Sequence, residues 1–169
     1  MKTAVIGSGG WGTALAIALH QNGHDTVLWS HNTQKAAQVE QSRQNPLLPG
    51  IQLPEGLKVT GDARCVEGRK LVVIASPSVH IRKVCQQVAP YLDANAVMVS
   101  VTKGIEPGTF LRMSQIVEEE THRPVVALTG PSHAEEVARK IPTGCLAACA
   151  DRALAELVQD AFMSDTVRM

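Results

Sequence analysis

One stretch near the start of the chain decides the fold: Val5-Ile6-Gly7-Ser8-Gly9-Gly10-Trp11-Gly12-Thr13-Ala14-Leu15-Ala16. Gly7, Gly9 and Gly12 have the G-x-G-x-x-G spacing that is typical of dinucleotide-binding turns. The first glycine permits the tight turn, the second lets a pyrophosphate approach the backbone, and the third lets the helix pack closely on the sheet. Free N–H groups and the helix dipole favour an anion at this point. The stretch therefore predicts a pyrophosphate site at the start of the first helix.

The residues around this turn supply the strand–helix–strand unit that the motif requires. An apolar strand precedes it at residues 2–6, apolar positions recur at helical spacing from Gly12 to Leu19, and a second strand is predicted at Asp25–Trp29. Because glycine turns are common, the spacing alone is a weak signal, and a turn that binds nothing is the alternative. The complete unit favours dinucleotide binding.

Apolar strands alternate with amphipathic helices along the rest of the chain. Strands are predicted at residues 57–60, 71–75, 97–101, 125–129 and 144–150; helices at 33–42, 109–120, 134–140 and 153–162; a short helix or turn at 62–68; and, after a cap at Ser78, a helix with Ile81, Val84, Cys85 and Val88 on its inner face. This alternation predicts one α/β domain over residues 1–169, with a doubly wound, mainly parallel sheet of the Rossmann type.

Four loops are expected at the carboxyl ends of the strands, where such sheets bind ligands. They are residues 7–12, 76–78, 102–108 and 130–132. Lys103 is the only cation in its loop, so it is expected either to meet a phosphate or a reacting carbonyl, or to be solvated. Ser132-His133-Ala134-Glu135 has the S-x-x-E form of a capping box, so Ser132 is expected either to cap a helix or to offer a hydroxyl to an anion. His133 has no predicted partner to orient it as a base and is interpreted as a loop residue.

The end of the second strand bears on the choice between NAD and NADP. Folds that prefer NAD usually carry an acidic residue there for the ribose hydroxyls, and this chain has none, because Asp25 lies at the opposite end of the strand. His31 is therefore interpreted either as a donor to a 2′-phosphate, which favours NADP, or as a solvent-facing loop residue.

Composition excludes several classes of protein. Lys+Arg and Asp+Glu each number 16, so the formal net charge is zero, which argues against nucleic acid as the main partner. No apolar run is long enough to cross a bilayer and no signal peptide is apparent, so we expect no membrane insertion and a cytoplasmic protein. The four cysteines, at positions 65, 85, 145 and 149, lack the spacing of zinc ligands. Reduced thiols in or near the core, with no metal, are expected.

Four motifs occur together in a characteristic order along almost the whole chain. They are Gly-Ser-Gly-Gly-Trp-Gly-Thr-Ala-Leu-Ala at 7–16, Leu-Pro-Gly-Ile at 48–51, Thr-Lys-Gly-Ile-Glu at 102–106 and Gly-Pro-Ser-His-Ala-Glu-Glu-Val-Ala at 130–138. In this combination the chain resembles the N-terminal, nucleotide-binding half of the bacterial NAD(P)-dependent glycerol-3-phosphate dehydrogenases. His133 departs from the family pattern, which usually has an aromatic residue there, and this departure concerns local packing more than chemistry.

The resemblance assigns roles to residues of this chain by position. Together with the three motif glycines, it gives as cofactor-binding residues Gly7, Gly9, Gly10, Trp11, Gly12, His31, Lys103 and Ala134, and as substrate-binding residues Lys103, Gly130 and Ser132. It implies that the proton-transferring lysine belongs to a helical second domain, which begins about where this chain stops. No catalytic proton donor is therefore expected among these residues.

The function implied by the resemblance is NAD(P)H-dependent interconversion of dihydroxyacetone phosphate and sn-glycerol 3-phosphate for phospholipid synthesis. On this hypothesis the chain is the cofactor-binding half, which alone should bind cofactor weakly and turn over little. Two alternatives are a non-catalytic NAD(P)-binding module and a related dehydrogenase acting on another hydroxy acid. The sequence leaves open whether the chain forms a homodimer.

Overall fold

The computed structural model describes residues 1–169, along which strands and helices alternate. The strands are β1 (Lys2–Ile6), β2 (Asp25–Trp29), β3 (Lys58–Thr60), β4 (Leu71–Ile74), β5 (Val97–Ser100), β6 (Val125–Thr129), β7 (Thr143–Gly144), β8 (Leu146–Ala148) and β9 (Val167–Arg168). The helices are α1 (Gly10–Gln21), α2 (Thr33–Ser42), α3 (Ile81–Val88), α4 (Met113–Thr121), α5 (Ala134–Ala138) and α6 (Arg152–Phe162). Short 3-10 turns occupy residues 63–66, 78–80 and 89–91.

Seven strands form one sheet in the order β3-β2-β1-β4-β5-β6-β8. The first six are parallel to one another, and β8 pairs antiparallel with β6. Because the chain builds outward from β1 in both directions, the carboxyl ends of β1 and β4 flank the point where the strand order reverses. The structure confirms the predicted doubly wound, mainly parallel sheet of the Rossmann type.

The apolar strands are buried on both faces, which explains why they have no alternation of polar and apolar residues. Val5 and Val73 pack into a cluster with residues of α1, α2 and α6 on one side of the sheet. Ile6 and Ile74, their neighbours in sequence, pack into a second cluster with residues of α3 and α4 on the other side. The two helical layers hold the carboxyl ends of β1 and β4 in fixed positions.

Several elements have the bounds that the sequence predicts, because signals within a few residues determine where these elements begin and end. The strands β1, β2 and β6 and the helix α2 begin and end at the predicted residues. Asn32 caps α2 as expected, since its side chain accepts a hydrogen bond of 2.9 Å from the Lys35 backbone N–H.

Two helix starts were predicted wrongly. Ser78 does not cap α3, because it opens a 3-10 turn and no side chain caps the turn or the helix that follows. The helix predicted from residue 109 begins at Met113 instead. Phe110 has a left-handed backbone with φ 59°, and Ile105 forms a bridge with Arg112, so the chain turns back before it can enter the helix.

The C-terminal third also departs from prediction in its details. The strand predicted at 144–150 is two short pieces, because β7 pairs in parallel with the unpredicted β9 while β8 joins β6 at the sheet edge. Helix α5 stops at Ala138 rather than Lys140, and Lys140 has a left-handed backbone with φ 60°.

The four cysteines are free thiols, none bonded to another, as the sequence predicts. Cys85 is in the core, and the other three are half-buried against it. No group of three or more His, Cys, Asp or Glu side chains is arranged so that it could hold a metal ion. None of the helices combines the length and the hydropathy needed to traverse a bilayer.

Candidate functional site

A cleft of about 990 Å³ opens at the carboxyl ends of the central parallel strands. Its wall includes residues 7–12, 75–78, 101–103 and 132–134. The predicted convergence of four loops on one rim is therefore observed, although residues 104–108, 130 and 131 do not line the cleft. The roles assigned to individual residues remain predictions.

The three motif positions are occupied by glycine for different structural reasons. Gly7 has φ +124°, and a Cβ there would lie 2.5 Å from the Ala75 carbonyl oxygen. A Cβ on Gly12 would overlap the carbonyl oxygen of Gly7. A Cβ on Gly9, in contrast, would meet no protein atom within 4 Å. The fold itself requires the first and third glycines, whereas the second leaves open space above the turn.

The start of α1 faces this open space with unpaired donors. Its first internal hydrogen bond runs from the Thr13 N–H to the Gly9 oxygen, at 2.9 Å, so the N–H groups of Gly10, Trp11 and Gly12 have no acceptor within the chain. No side chain caps the helix, and its first turn contains no acidic residue. This donor set suits the pyrophosphate of a dinucleotide, since an anion here would satisfy free N–H groups and the positive end of the helix dipole.

Sequence reasoning missed Asn45, which holds the glycine turn from behind. This side chain is 1% exposed and donates to the Ser8 oxygen at 2.9 Å and to Thr13 Oγ1 at 2.7 Å. Its own oxygen accepts from the Leu47 N–H at 3.0 Å. The loop at 45–51 is thereby fastened to the turn. The only sequence signal, an Asn-Pro pair, indicates a turn and says nothing of this long-range contact.

The wall of the cleft is basic although the whole chain is neutral. Lys35, Lys83 and Lys103 line it, and no aspartate or glutamate does. The exposed His31 also lines it and lies just before the Asn32 cap of α2, the helix that carries Lys35. An excess of cations in a cleft of an otherwise balanced protein favours a ligand with several negative charges. The absence of an acid at the end of β2, as the sequence predicts, is consistent with a 2′-phosphate there.

Lys103 lines the cleft at the loop after β5 and has no carboxylate partner. Its ammonium group donates to the Gly130 carbonyl oxygen at 3.3 Å, which brings the loops after β5 and β6 together. Gly130 is confined as well, since a Cβ there would lie 2.6 Å from the Gly144 oxygen. An unpaired ammonium group at the carboxyl end of a strand can meet a phosphate or an oxygen that gains charge.

The capping box predicted at Ser132 is wrong. The residue that precedes α5 is His133, one position later, and no side chain caps this helix. Ser132 is half-buried and lines the cleft instead, next to His133 and Ala134. Burial raises the pKa of the neighbouring Cys145 thiol, although Ser132 and Lys103 act in the opposite direction.

An ion pair behind the Lys103 loop gives a prediction about acid stability. Hydrogen bonds from Arg82, and then from Thr109, lower the pKa of Glu106 from its usual value of 4.5 to about 2. A carboxylate with a lowered pKa stabilises the fold fully above pH 4.5, and this contribution is lost as the pH falls from 4.5 towards 2. Glu106→Gln should therefore lose stability less steeply than the parent in this window.

This acid prediction is measured by chemical denaturation at a series of pH values. Glu118→Gln is the matched control, because Glu118 is exposed on α4 and has no ion pair. The control should have the same pH dependence as the parent. Parallel curves for Glu106→Gln and the parent would contradict the prediction.

Comparison with known proteins identifies relatives along the whole chain. A family model described as the N-terminus of NAD-dependent glycerol-3-phosphate dehydrogenase matches residues 2–155. A glycerol-3-phosphate dehydrogenase (NAD(P)+) of Desulfitobacterium hafniense is 41% identical over 170 residues, covering 99% of this chain and 48% of the relative. One of Fusobacterium nucleatum is 41% identical over 174 residues, covering 100% of this chain and 52% of the relative. The chain spans about half the length of these curated relatives.

Solved structures agree with this comparison. The crystal structure of glycerol-3-phosphate dehydrogenase from Coxiella burnetii has a TM-score of 0.92 at 29% identity, covering 99% of this chain and 52% of that one. The enzyme of the same name from Plasmodium falciparum has a TM-score of 0.91 at 19% identity, covering 99% and 51%. The second likeness, at its low identity, concerns the fold alone.

Proposed function

We propose that this chain, which belongs to the NAD-dependent glycerol-3-phosphate dehydrogenase family, is the cofactor-binding part of an enzyme that interconverts dihydroxyacetone phosphate and sn-glycerol 3-phosphate. The family uses NAD or NADP. The observation that carries the proposal is the glycine turn, where open space above Gly9 and the unpaired N–H groups of α1 face a cleft without carboxylates. The proposed enzyme is cytoplasmic, and the resemblance implies that its product supplies phospholipid synthesis.

In the proposed mechanism the glycine turn and Lys103 have different roles. The glycine turn holds the pyrophosphate through the N–H groups of Gly10, Trp11 and Gly12, and Ala134 packs beside them. When bound, the reduced nicotinamide supplies the hydride. Lys103 orients the substrate and stabilises negative charge on its oxygen.

The remaining substrate contacts are assigned to the loop after β6. Ser132 offers a hydroxyl to the glycerol phosphate, and Gly130 keeps the Lys103 ammonium group near it through its carbonyl oxygen. We assign the proton donor to a lysine of a helical domain outside this chain, as the resemblance implies. Residues 1–169 are then the NAD(P)-binding domain of a longer protein, in line with relatives about twice as long.

Turnover by the full-length protein tests the proposal directly. Dihydroxyacetone phosphate with NADPH should be reduced, whereas dihydroxyacetone, which lacks the phosphate, should be reduced much more slowly. Reduction of an oxo acid, with no reduction of dihydroxyacetone phosphate, would overturn the proposed substrate and favour the related dehydrogenase. Tight NADPH binding without any turnover would favour the non-catalytic module.

The cofactor preference is proposed to depend on His31. Replacing His31 by Asp puts a negative charge where the proposal places the 2′-phosphate. We expect NADPH affinity to fall by about tenfold, the equivalent of ~1.4 kcal/mol, while NADH affinity stays level or rises. Calorimetric titration of both cofactors measures the change.

A matched control separates this local effect from a change in net charge. His122→Asp makes the same substitution at an exposed histidine beyond the end of α4, outside the cleft. This variant should bind NADPH as the parent does. If the two variants shift NADPH affinity equally, His31 has no specific role in choosing the cofactor.

A further inference from the structure

Arg82 of α3 is bonded to three carboxylates from two other elements. Its Nε and Nη2 donate to the two oxygens of Glu106 at 2.6 and 2.8 Å. Its Nη1 donates to Glu120 at 2.6 Å and its Nη2 to Glu119 at 3.3 Å, both on α4. One guanidinium group therefore ties α3 to α4 and to the loop that carries Lys103.

Within that loop, Glu106 is the residue on which both backbone and side-chain bonds converge. Its N–H donates to the Leu111 oxygen at 2.9 Å, and its oxygen accepts from the Phe110 N–H at 2.9 Å. Its carboxylate also accepts from the Thr109 hydroxyl. These bonds close the loop on itself, so that moving the Glu106 side chain moves the whole turn.

Lys103 lies between this anchor and a second one at the start of the loop. The Thr102 hydroxyl donates to the Ser76 oxygen at 2.8 Å, which fixes the loop to the end of β4. Gly104 has φ +135° and lies against Ser78, since a Cβ there would be 3.4 Å from the Ser78 Cβ. The backbone of Lys103 is thus fixed on both sides. Its exposed side chain has only one weak contact of its own, to Gly130.

We propose that Arg82 and Glu106 form a positioning pair that fixes where Lys103 stands in the cleft. The inference rests on the proposed function for its catalytic consequence, because it concerns the same site. Neither residue lines the cleft, so both act through the loop. Fixing a reacting group in place matters because misplacement by about 1 Å can cost about a hundredfold in rate.

The burial of the network indicates which of its bonds matter. The side chains of Glu106 and Glu120 are 20% and 15% exposed, whereas that of Glu119 is 56% exposed. Exposed ion pairs are screened and contribute little, and half-buried bidentate pairs contribute more. Without Arg82, three carboxylates would repel one another across the same space. Its planar fork also matches Glu106 in a way that a lysine cannot.

Glu106 and Glu120 form a matched pair for separating positioning from general stability. Each accepts a 2.6 Å bond from Arg82, but Glu120 holds α4 to α3, partly through Gln86 at 2.9 Å, and does not touch the loop. A purely structural network predicts similar effects from both residues. A positioning pair predicts an effect on Lys103 from Glu106 alone.

The test compares Glu106→Gln with Glu120→Gln in the full-length protein. We expect Glu106→Gln to lower kcat/KM for dihydroxyacetone phosphate by about 10- to 100-fold, with the Kd for NADPH changed by less than about twofold. Glu120→Gln should change neither by more than about twofold. Hydrogen exchange at the Glu106 and Phe110 amides should accelerate in Glu106→Gln only.

Three outcomes would overturn the positioning role. The first is an equal effect of the two variants on kcat/KM. The second is a loss of NADPH affinity in Glu106→Gln as large as its loss of kcat/KM. The third is unchanged hydrogen exchange at both loop amides. Should Glu106→Gln fail to fold, Thr109→Val removes one hydrogen bond to Glu106 without changing the charge. It should produce smaller changes of the same kind in kcat/KM and in amide exchange, with NADPH binding unchanged. If the parent does not reduce dihydroxyacetone phosphate, the proposed function fails, and the exchange measurement still decides whether the pair fixes the loop.

Discussion

Gly9→Ala is expected to fold as the parent does and to lose the dinucleotide. Gly9 has φ −67° and ψ 174°, which alanine adopts without strain, and the new Cβ meets no protein atom within 4 Å. The methyl group would instead occupy the space in which the proposal puts the pyrophosphate. Two charge-assisted hydrogen bonds at ~1.5–3 kcal/mol each would be lost or lengthened, so cofactor affinity should fall by about 100-fold or more.

Calorimetric titration with NADPH and thermal unfolding together measure this expectation. The melting temperature should fall by only a few degrees, because alanine is a poorer residue than glycine before a helix by about 1 kcal/mol. Gly12→Ala is the opposite control: its Cβ would overlap the Gly7 oxygen and lie 3.1 Å from the Ala75 Cβ, so it should destabilise the fold itself. NADPH affinity unchanged in Gly9→Ala would mean that the cofactor does not bind at this turn.

The contrast between these glycines shows what a sequence motif can and cannot predict. The spacing identifies all three positions and predicts a pyrophosphate beside the middle one. It also predicts structural roles for Gly7 and Gly12, and the three-dimensional structure adds the atoms that impose them. A Cβ on Gly7 would lie 2.5 Å from the oxygen of Ala75, just beyond the end of β4, and a Cβ on Gly12 would overlap the Gly7 oxygen. On the proposed function, the motif combines a requirement of folding with a requirement of binding, and the Gly9→Ala and Gly12→Ala variants are expected to separate them.

Elements whose signals are local were predicted closely. The bounds of β1, β2 and α2 follow from apolar runs, a glycine turn and the Asn32 cap, all of which act within a few residues. The doubly wound, mainly parallel sheet also follows, since alternating buried strands and helices allow few topologies. The gathering of the loops on one rim is a consequence of that topology, which is why it could be predicted without any side-chain contact.

Features set by contacts distant in sequence could not be predicted. Arg82 meets Glu106 across 24 residues, and the β7–β9 pairing involves two residues on each side. Such contacts leave no periodicity. The capping box at Ser132 shows the reverse error: the S-x-x-E pattern is present in the sequence, but His133 precedes α5, no side chain caps this helix, and Ser132 lines the cleft.

Asn45→Leu is expected to be among the most destabilising substitutions that leave the apolar core intact. The change deletes three hydrogen bonds and leaves the buried Ser8 oxygen and Thr13 hydroxyl without their donor. Each buried polar group left unpaired costs ~1–3 kcal/mol, so the free energy of unfolding should fall by about 3–5 kcal/mol. That is a large share of the ~5–15 kcal/mol by which domains are stable, and the melting temperature should fall by about 10 °C.

Asn22→Leu makes the same exchange where water can replace the lost partners. Its amide donates to the Ala161 and Met163 oxygens at 3.0 and 3.1 Å, but one of these bonds is exposed and the other only half-buried. We expect the free energy of unfolding of Asn22→Leu to fall by less than about 1.5 kcal/mol and its NADPH binding to be unchanged. Asn45→Leu should weaken NADPH binding as well as stability, because Asn45 supports the turn itself through the Ser8 oxygen. Equal losses of stability in the two variants, with NADPH binding unaffected in both, would mean that the glycine turn keeps its shape without the loop at 45–51.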